Sequence, residues 1–389
     1  MTLSDSLRTL HSYCAKQGYK GYSLYDSHTG KIPFEKFGHT ISFLANQVIK
    51  RSPINIRPLI GVPKAYNPKG MGLFLHSYSL LKSNGKSLIS DDELDFFCNW
   101  LLENHSKGWS GLCWGYHYDW PRSDGSMFRA HTPSVVVTAF ILRGMQAYGQ
   151  AGRSIDMRDI TASAAKFVLN DVYRTDHPEG VCFSYTPAQR DTVFNANLLA
   201  AEILSMADHY SGDPTHTETI RKVLEFTLHH QNPDGSWYYS LHPKTGKPKN
   251  QIDFHQGYMV ETIDRILRLV PSLRTTELDA AIDKGLQFYK NQQFDSDGRA
   301  YWRYPDMWPI DIHNQSQGII TFALFADRDS TYAPLAKTIA AWTIQNMQDK
   351  KGQFYYQKWP FIMNKTPYMR WNQGWMMLAL TTLVTQDLE

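Results

Sequence analysis

Two short segments of this sequence repeat one pattern of reactive types, Asp253-Phe-His255 and Asp311-Ile-His313. An acid beside an imidazole is a candidate pair for general acid–base work. Asp119 follows Tyr116-His-Tyr118, Asp191 precedes Asn195 and Asn197, and Arg370 and Gln373 add a cation and an amide. Trp114, Trp120, Trp237, Trp302 and Trp371 fall in or beside the same stretches, and flat rings with polar edges suit stacking on pyranoses. Two chemistries fit the set. Two carboxyls drawn from Asp119, Asp253 and Asp311, one protonated and one ionised, could hydrolyse a glycosidic bond. Alternatively His255, His313, Tyr116 or Tyr258 could take the proton beside a uronate carboxylate that Asn195 and Arg370 neutralise. Each group also has a plainer use. Asp, Asn and His just before a helix are ordinary N-caps, and aromatics after a glycine turn pack walls. The concentration of types weighs toward a site, since caps need no tryptophan, tyrosine and arginine together.

All these residues occupy one place in a repeat. Five glycine turns, beginning at Gly111, Gly180, Gly235, Gly298 and Gly352, are each followed by aromatics, a polar loop and a helix start. The starts lie at His131, Phe194, His255, His313 and Arg370, with a divergent sixth at Tyr66-Asn-Pro-Lys-Gly-Met ahead of them. A period of about sixty residues, six times over, predicts an all-α (α/α)6 toroid with a central bowl. Apolar residues at helical spacing, such as Ile220, Val223, Leu224 and Leu228, predict helix pairs. The pairs are 40–51 with 70–83, 90–104 with 133–150, and 157–173 with 194–211. The others are 215–231 with 256–270, 275–293 with 315–327, and 332–347 with 373–387. The later helix of each pair is apolar nearly all round, as in Val135-Val-Val-Thr-Ala-Phe, and so belongs to the inner ring. A first helix over 4–17 is extra and packs outside or closes the ring. The long loops from outer to inner helix share one face, and Asp234-Gly235 and Asp297-Gly298 predict short β-hairpins there. Helix N-termini at that mouth favour anionic groups.

No linker interrupts the period, so residues 1–389 read as one domain, with 1–39 as a helix and extension. Charged residues make up 20% and apolar ones 42%, enough for a large core. A net charge of +3 without a basic block argues against a nucleic-acid partner. The start Met1-Thr-Leu-Ser lacks a secretory apolar stretch, and no apolar run reaches membrane length, so a cytoplasmic protein is expected. Cys14, Cys98, Cys113 and Cys182 show no metal or redox spacing. No phosphate loop, nucleophile elbow or HExxH occurs, so neither a cofactor nor a metal is expected.

The stretches Cys113-Trp-Gly-Tyr116, Tyr118-Asp-Trp120, Phe183-Ser-Tyr-Thr-Pro187, Asn195-Ala-Asn-Leu198, Pro309-Ile-Asp-Ile-His313 and Pro367-Tyr-Met-Arg-Trp371 occur in this order. They resemble a bacterial family found with exopolysaccharide and capsule genes, over roughly residues 20–389. Its members are often labelled polysaccharide biosynthesis proteins or delta-aminolevulinic acid dehydratases. The dehydratase label fits badly, because that enzyme is a (β/α)8 barrel and no strand–helix alternation exists here. The resemblance implies the six-hairpin glycosidase-like scaffold shared by glycoside hydrolases, polysaccharide lyases and uronyl epimerases. Arg370, the histidines and the helix N-termini favour negative or carbonyl groups, so an acidic or acetamido oligosaccharide is the expected substrate, with membrane-associated glycan assembly enzymes as partners. A non-catalytic glycan-binding or scaffold role is the alternative. After Trp120 the chain reads Pro121-Arg-Ser-Asp-Gly125, where the family continues differently, so the tip of that loop is expected to alter substrate preference.

Overall fold

The structure, a computed structural model, describes every residue except Ser123, Asp124, Lys244 and Glu389. The chain opens with α1 (Leu3–Lys16) and α2 (His39–Arg51). It continues through α3 (Pro68–Ser83), α4 (Asp91–Glu103), α5 (Val135–Gln150), α6 (Met157–Asn170), α7 (Phe194–Ser211) and α8 (Thr217–His229). Then follow α9 (His255–Leu269), α10 (Thr276–Gln293), α11 (Ile312–Leu324), α12 (Tyr332–Met347) and α13 (Trp375–Thr385). Helices α3, α5, α7, α9, α11 and α13 pack each on the next, and α13 returns to α3, so the inner ring is closed. They are buried on nearly every side, as apolar residues all round a helix require. The fold is an (α/α)6 toroid.

The repeated glycines explain how the hairpins lock together. A Cβ on Gly111 would lie 1.8 Å from the carbonyl oxygen of Ser163 in α6, and one on Gly180 would lie 2.2 Å from that of Lys222 in α8. Only a residue without a side chain lets the turn rest on the next outer helix. Gly235 and Gly298 rest likewise on α10 and α12, and Gly352 rests on Thr9 of α1. The last contact identifies α1 as the sixth outer helix. This corrects the pairing of 40–51 with 70–83: α1 is the partner of α3, and α2 is an insertion between them that lies beside the mouth. One amide per turn completes the joint in four repeats. Asn197, Gln256, Gln315 and Gln373 each accept a backbone N–H from the glycine–aromatic segment and donate to a carbonyl there.

Short strands trim the rim. Hairpins form between β1 (Trp120–Pro121) and β2 (Met127–Phe128) and between β3 (Arg174–His177) and β4 (Gly180–Phe183). Neighbouring loops are stitched by β5 (Thr192–Val193) to β6 (Ser240–Leu241), and by β7 (Ile310–Asp311) to β8 (Gln357–Lys358) and β9 (Met363–Asn364). Register therefore joins repeats as well as closing turns.

Charge is buried among the inner helices. Arg143 of α5 donates to both oxygens of Glu202 on α7, and Arg265 of α9 donates to the same carboxylate at 2.7 Å. Nearby Glu261 accepts from Thr321 and Gln317 at 2.5 Å, and burial pushes its carboxyl up to about 7. A carboxyl whose folded pKa lies above its unfolded value of about 4.5 stabilises fully below that value, and the gain is lost as pH rises through about 7. Glu261→Gln, which stays neutral throughout, is expected to gain about 2–3 kcal/mol over the parent between pH 5 and pH 8. Denaturation midpoints measured at both pH values check this. A constant gap would show that Glu261 ionises without penalty.

Candidate functional site

The segment after each glycine alternates its side chains between two environments, as extended backbone must. Rings two or three positions on enter the wall. Trp114 donates its indole N–H to Leu101 O at 2.8 Å, and Trp237 donates to Thr227 O at 2.9 Å. Rings four or five positions on reach a cavity of about 580 Å³ at the mouth of the bowl: Tyr116, Tyr185, Tyr239, Trp302 and Tyr356. Tyr25, after Gly21, takes the sixth place and stacks on Trp120 with centroids 4.6 Å apart. The aromatic rim is a product of the repeat.

Within the rim stand two imidazoles, stacked on opposite sides of one ring. Phe254 lies 4.2 Å from His255 and 4.3 Å from His313, centroid to centroid. Both aspartates of the Asp-x-His pattern accept the backbone N–H of their histidine; Asp311 is the N-cap of α11, and Asp253 stands one residue ahead of the α9 N-cap, Phe254. The side chains then diverge. His255 donates through Nδ1 to Asp253 Oδ1 at 2.5 Å, leaving Nε2 for the cavity. Burial alone would raise Asp253, but His255 and the Gln251 amide outweigh it and hold the carboxyl below its ordinary value. His313 instead pairs through Nε2 with the Tyr258 hydroxyl at 2.6 Å. Burial, with Lys69 and Arg370 nearby, holds His313 well below the ordinary imidazole range, so it is neutral at pH 7. Asp311 accepts from the Trp371 indole at 2.9 Å and from Gln357 at 2.7 Å. Burial raises it, against the pull of those donors.

The two buried basic side chains that line the cavity, Arg370 and Lys69, have no carboxylate partner among the described residues. Arg370 sits on a π-helical turn, Met369–Gly374, ahead of α13, and its guanidinium packs between Tyr116 and Trp371 at 5.0 and 5.2 Å. Its Nε has no hydrogen-bond partner among the described residues. Lys69, in the first turn of α3, is buried against Phe140, 4.0 Å from the ring centroid, and Trp375, 5.0 Å away. Burial, then Arg370 and Arg143, depresses its amine well below the ordinary lysine value. An anion entering here would meet an unpaired guanidinium and an amine whose charged form it would restore. Among the described residues no three His, Cys, Asp or Glu side chains are grouped as a metal site needs.

The cavity thus brings together Asp253, His255, Asp311, His313 and Arg370 with Tyr116, Trp120, Asn195, Tyr258, Trp302 and Trp371. The other expected residues lie elsewhere. Asp119 accepts from Arg129 at 2.8 Å and from the Ala130 N–H at 2.7 Å, and braces the β1–β2 hairpin. Trp114 and Trp237 fill the wall, and Asn197 and Gln373 spend both amide atoms on the turn clamps. Ser123 and Asp124, at the tip expected to alter preference, lie outside the described residues. Lys69, Tyr25, Tyr185, Tyr239 and Tyr356 were not among the expected residues. The offset from the glycine would have found the tyrosines; nothing local marks Lys69.

No protein-family model matches the chain, and no curated protein sequence does. Solved structures do. Cellobiose 2-epimerase from Bacillus thermoamylovorans B4167 superposes with a TM-score of 0.67 at 11% identity, over 84% of this chain and 90% of that one. A possible member of the GH105 family from Salmonella enterica subsp. enterica serovar Paratyphi A gives 0.60 at 13%, over 82% and 83%. The ent-copalyl diphosphate synthase from Streptomyces platensis gives 0.50 at 14%, over 88% of this chain and 55% of that one. At such identities the likeness is one of fold, and a toroid hosts more than one chemistry.

Proposed function

We propose that the chain is a carbohydrate-active enzyme that removes the proton beside the carboxylate of an acidic sugar, as a uronate C5-epimerase or lyase. The observation that carries this is two imidazoles on either side of Phe254, facing a cavity with an uncompensated guanidinium and amine. Arg370 and Lys69 hold the uronate carboxylate and neutralise the charge that develops when C5 loses its proton. His255, oriented by Asp253, takes that proton on Nε2. Return of a proton to the opposite face of C5, from His313 and Tyr258, gives the epimer. Departure of the C4 oxygen substituent, with a proton supplied to it, gives the unsaturated lyase product.

Hydrolysis is the second reading, favoured by the raised Asp311. It lacks an evident acid. Hydrolysis needs one carboxyl protonated, and the donors around Asp253 and Asp311 favour the ionised form of each. The resemblance to exopolysaccharide and capsule proteins supports a bacterial surface glycan as the natural substrate, and stacking rings around the cavity support an oligosaccharide. A protein that only binds such a glycan is the remaining alternative.

The test is incubation with uronate-containing oligosaccharides in deuterated buffer, read by NMR and mass. Deuterium at C5 or a 4,5-unsaturated product is the expected result. A new reducing end would establish hydrolysis, and binding without conversion would establish a lectin. Arg370→Gln and Lys69→Met are each expected to lower kcat/KM for the free acid about ten- to a hundred-fold, with little change for its methyl ester. Equal losses on acid and ester would remove the carboxylate from the role assigned to it.

A further inference from the structure

Helix α2 is amphipathic the wrong way round for a helix in water. Its buried positions are Ser42, Asn46 and Ile49, while Gln47 and Lys50 line the cavity. The outward stripe is Ile41, Leu44 and Val48, continued N-terminally by Phe37, and all four are exposed, Val48 by 64%. The Asn46 carboxamide is buried with neither atom paired, so the polar stripe has been turned inward even without a full set of partners. A stripe of this spacing ordinarily faces a core. Here none of the described residues covers it.

The apolar face continues beyond the helix. Ile54 and Leu59 follow it, Leu59 exposed by 84%. The β8–β9 turn adds Phe361, exposed by 98%, and Ile362, and Asn364 ties this turn to α2 by donating to Ser52 O at 2.9 Å. Exposed cations lie along the same segments: Lys31, Lys36, Arg51 and Lys64 between residues 30 and 66, and Lys365 just after the β8–β9 turn. Between residues 30 and 66 the one acid is Glu35. Arg51 and Trp359 belong to the rim of the cavity as well, so patch and mouth share an edge.

We propose that this face seats on a membrane surface rich in anionic lipid, with the α2 stripe and Phe361 among the acyl-chain ends and the lysines among the headgroups. Apolar side chains flanked by cations are the make-up of an interfacial helix. A second copy of the chain is the poorer occupant, because a two-fold contact would set these cations against their copies. Among the described residues no helix is long and apolar enough to cross a membrane, so the association is peripheral. The cavity would then open beside the headgroups, where a glycan attached to a lipid is within reach. This inference stands on exposure and charge and does not rest on the chemistry proposed above.

Sedimentation with phosphatidylcholine vesicles, with and without phosphatidylglycerol, tests it. The protein is expected to bind the anionic vesicles and to be released by salt. Ile41→Ser/Leu44→Ser/Val48→Ser should lower the bound fraction about ten-fold while leaving the melting temperature unchanged, since these side chains touch water in the free protein. Lys31→Glu/Lys36→Glu should weaken binding with the hydrophobic stripe intact. Failure to bind anionic vesicles would overturn the proposal. So would a concentration-dependent dimer that the serine variant disperses, because the stripe would then be covered by another copy.

Discussion

His255→Ala and His313→Gln are each expected to lower kcat by about 10²–10⁴-fold, the range for removing a positioned acid or base. The two should not be equivalent. If His255 serves one face of C5 and His313 the other, each variant keeps slow deuterium exchange with one epimer and loses it with the other. Asp253→Asn should act in the same direction as His255→Ala but more weakly, since it unsettles the ring's orientation and leaves the imidazole in place. The pH profile gives an independent reading. His313 is held neutral by burial and by Lys69 and Arg370, so its acidic limb belongs below the ordinary imidazole value of about 6.5. Retention of turnover within about ten-fold in both variants would end the two-histidine assignment.

Glu202→Gln is expected to cost about 3–5 kcal/mol of unfolding free energy, the usual loss when one member of a buried ionic cluster goes. Arg143 and Arg265 both donate to that carboxylate, and among the described residues neither has another acidic hydrogen-bond partner. Burial would raise Glu202, but the two arginines outweigh it and hold the carboxyl below its ordinary value. Its contribution is therefore present above the unfolded glutamate value and is lost as pH falls through the lower folded one. Glu261 slopes the other way, so the two buried glutamates favour opposite ends of the acid range. Replacing Arg143, Glu202 and Arg265 together by apolar residues of similar volume should recover most of the loss. Denaturant midpoints for the single and triple variants decide it. Equal destabilisation in both would mean packing matters here and charge does not.

The toroid was legible because its joints are chemically narrow. A glycine that must touch the next helix admits no substitute, and inner helices buried on all sides leave an uninterrupted apolar record. The misplaced pair has a physical cause. Residues 40–51 carry the spacing of an outer helix, and spacing does not say which side is wet. The helix starts pointed to the cavity because one aspartate can cap a helix and stand beside a histidine at once. Residue type is the same on both faces of a short extended segment, which hides that Trp114 and Trp237 enter the wall. Asn197 and Gln373 turn to the loop because an amide near a helix start can clamp backbone as readily as it can face a cavity. Lys69 left no signal, since a lysine in a first turn is ordinarily solvated; only its tertiary surroundings make it unusual.

The contact between Gly352 and α1 sets an order of events during synthesis. The outer helix that leaves the ribosome first is the one against which the last hairpin must dock. Until then α3 and α13 have each only one inner neighbour, and a nascent chain is an open arc with two apolar flanks. Closing that arc joins segments more than 300 residues apart, as the Ser6–Gln348 hydrogen bond shows. Distant partners meet late. A growing chain of this kind is a natural client for a holding chaperone, and variants that loosen the seam should reveal themselves as low yield before they appear as low activity.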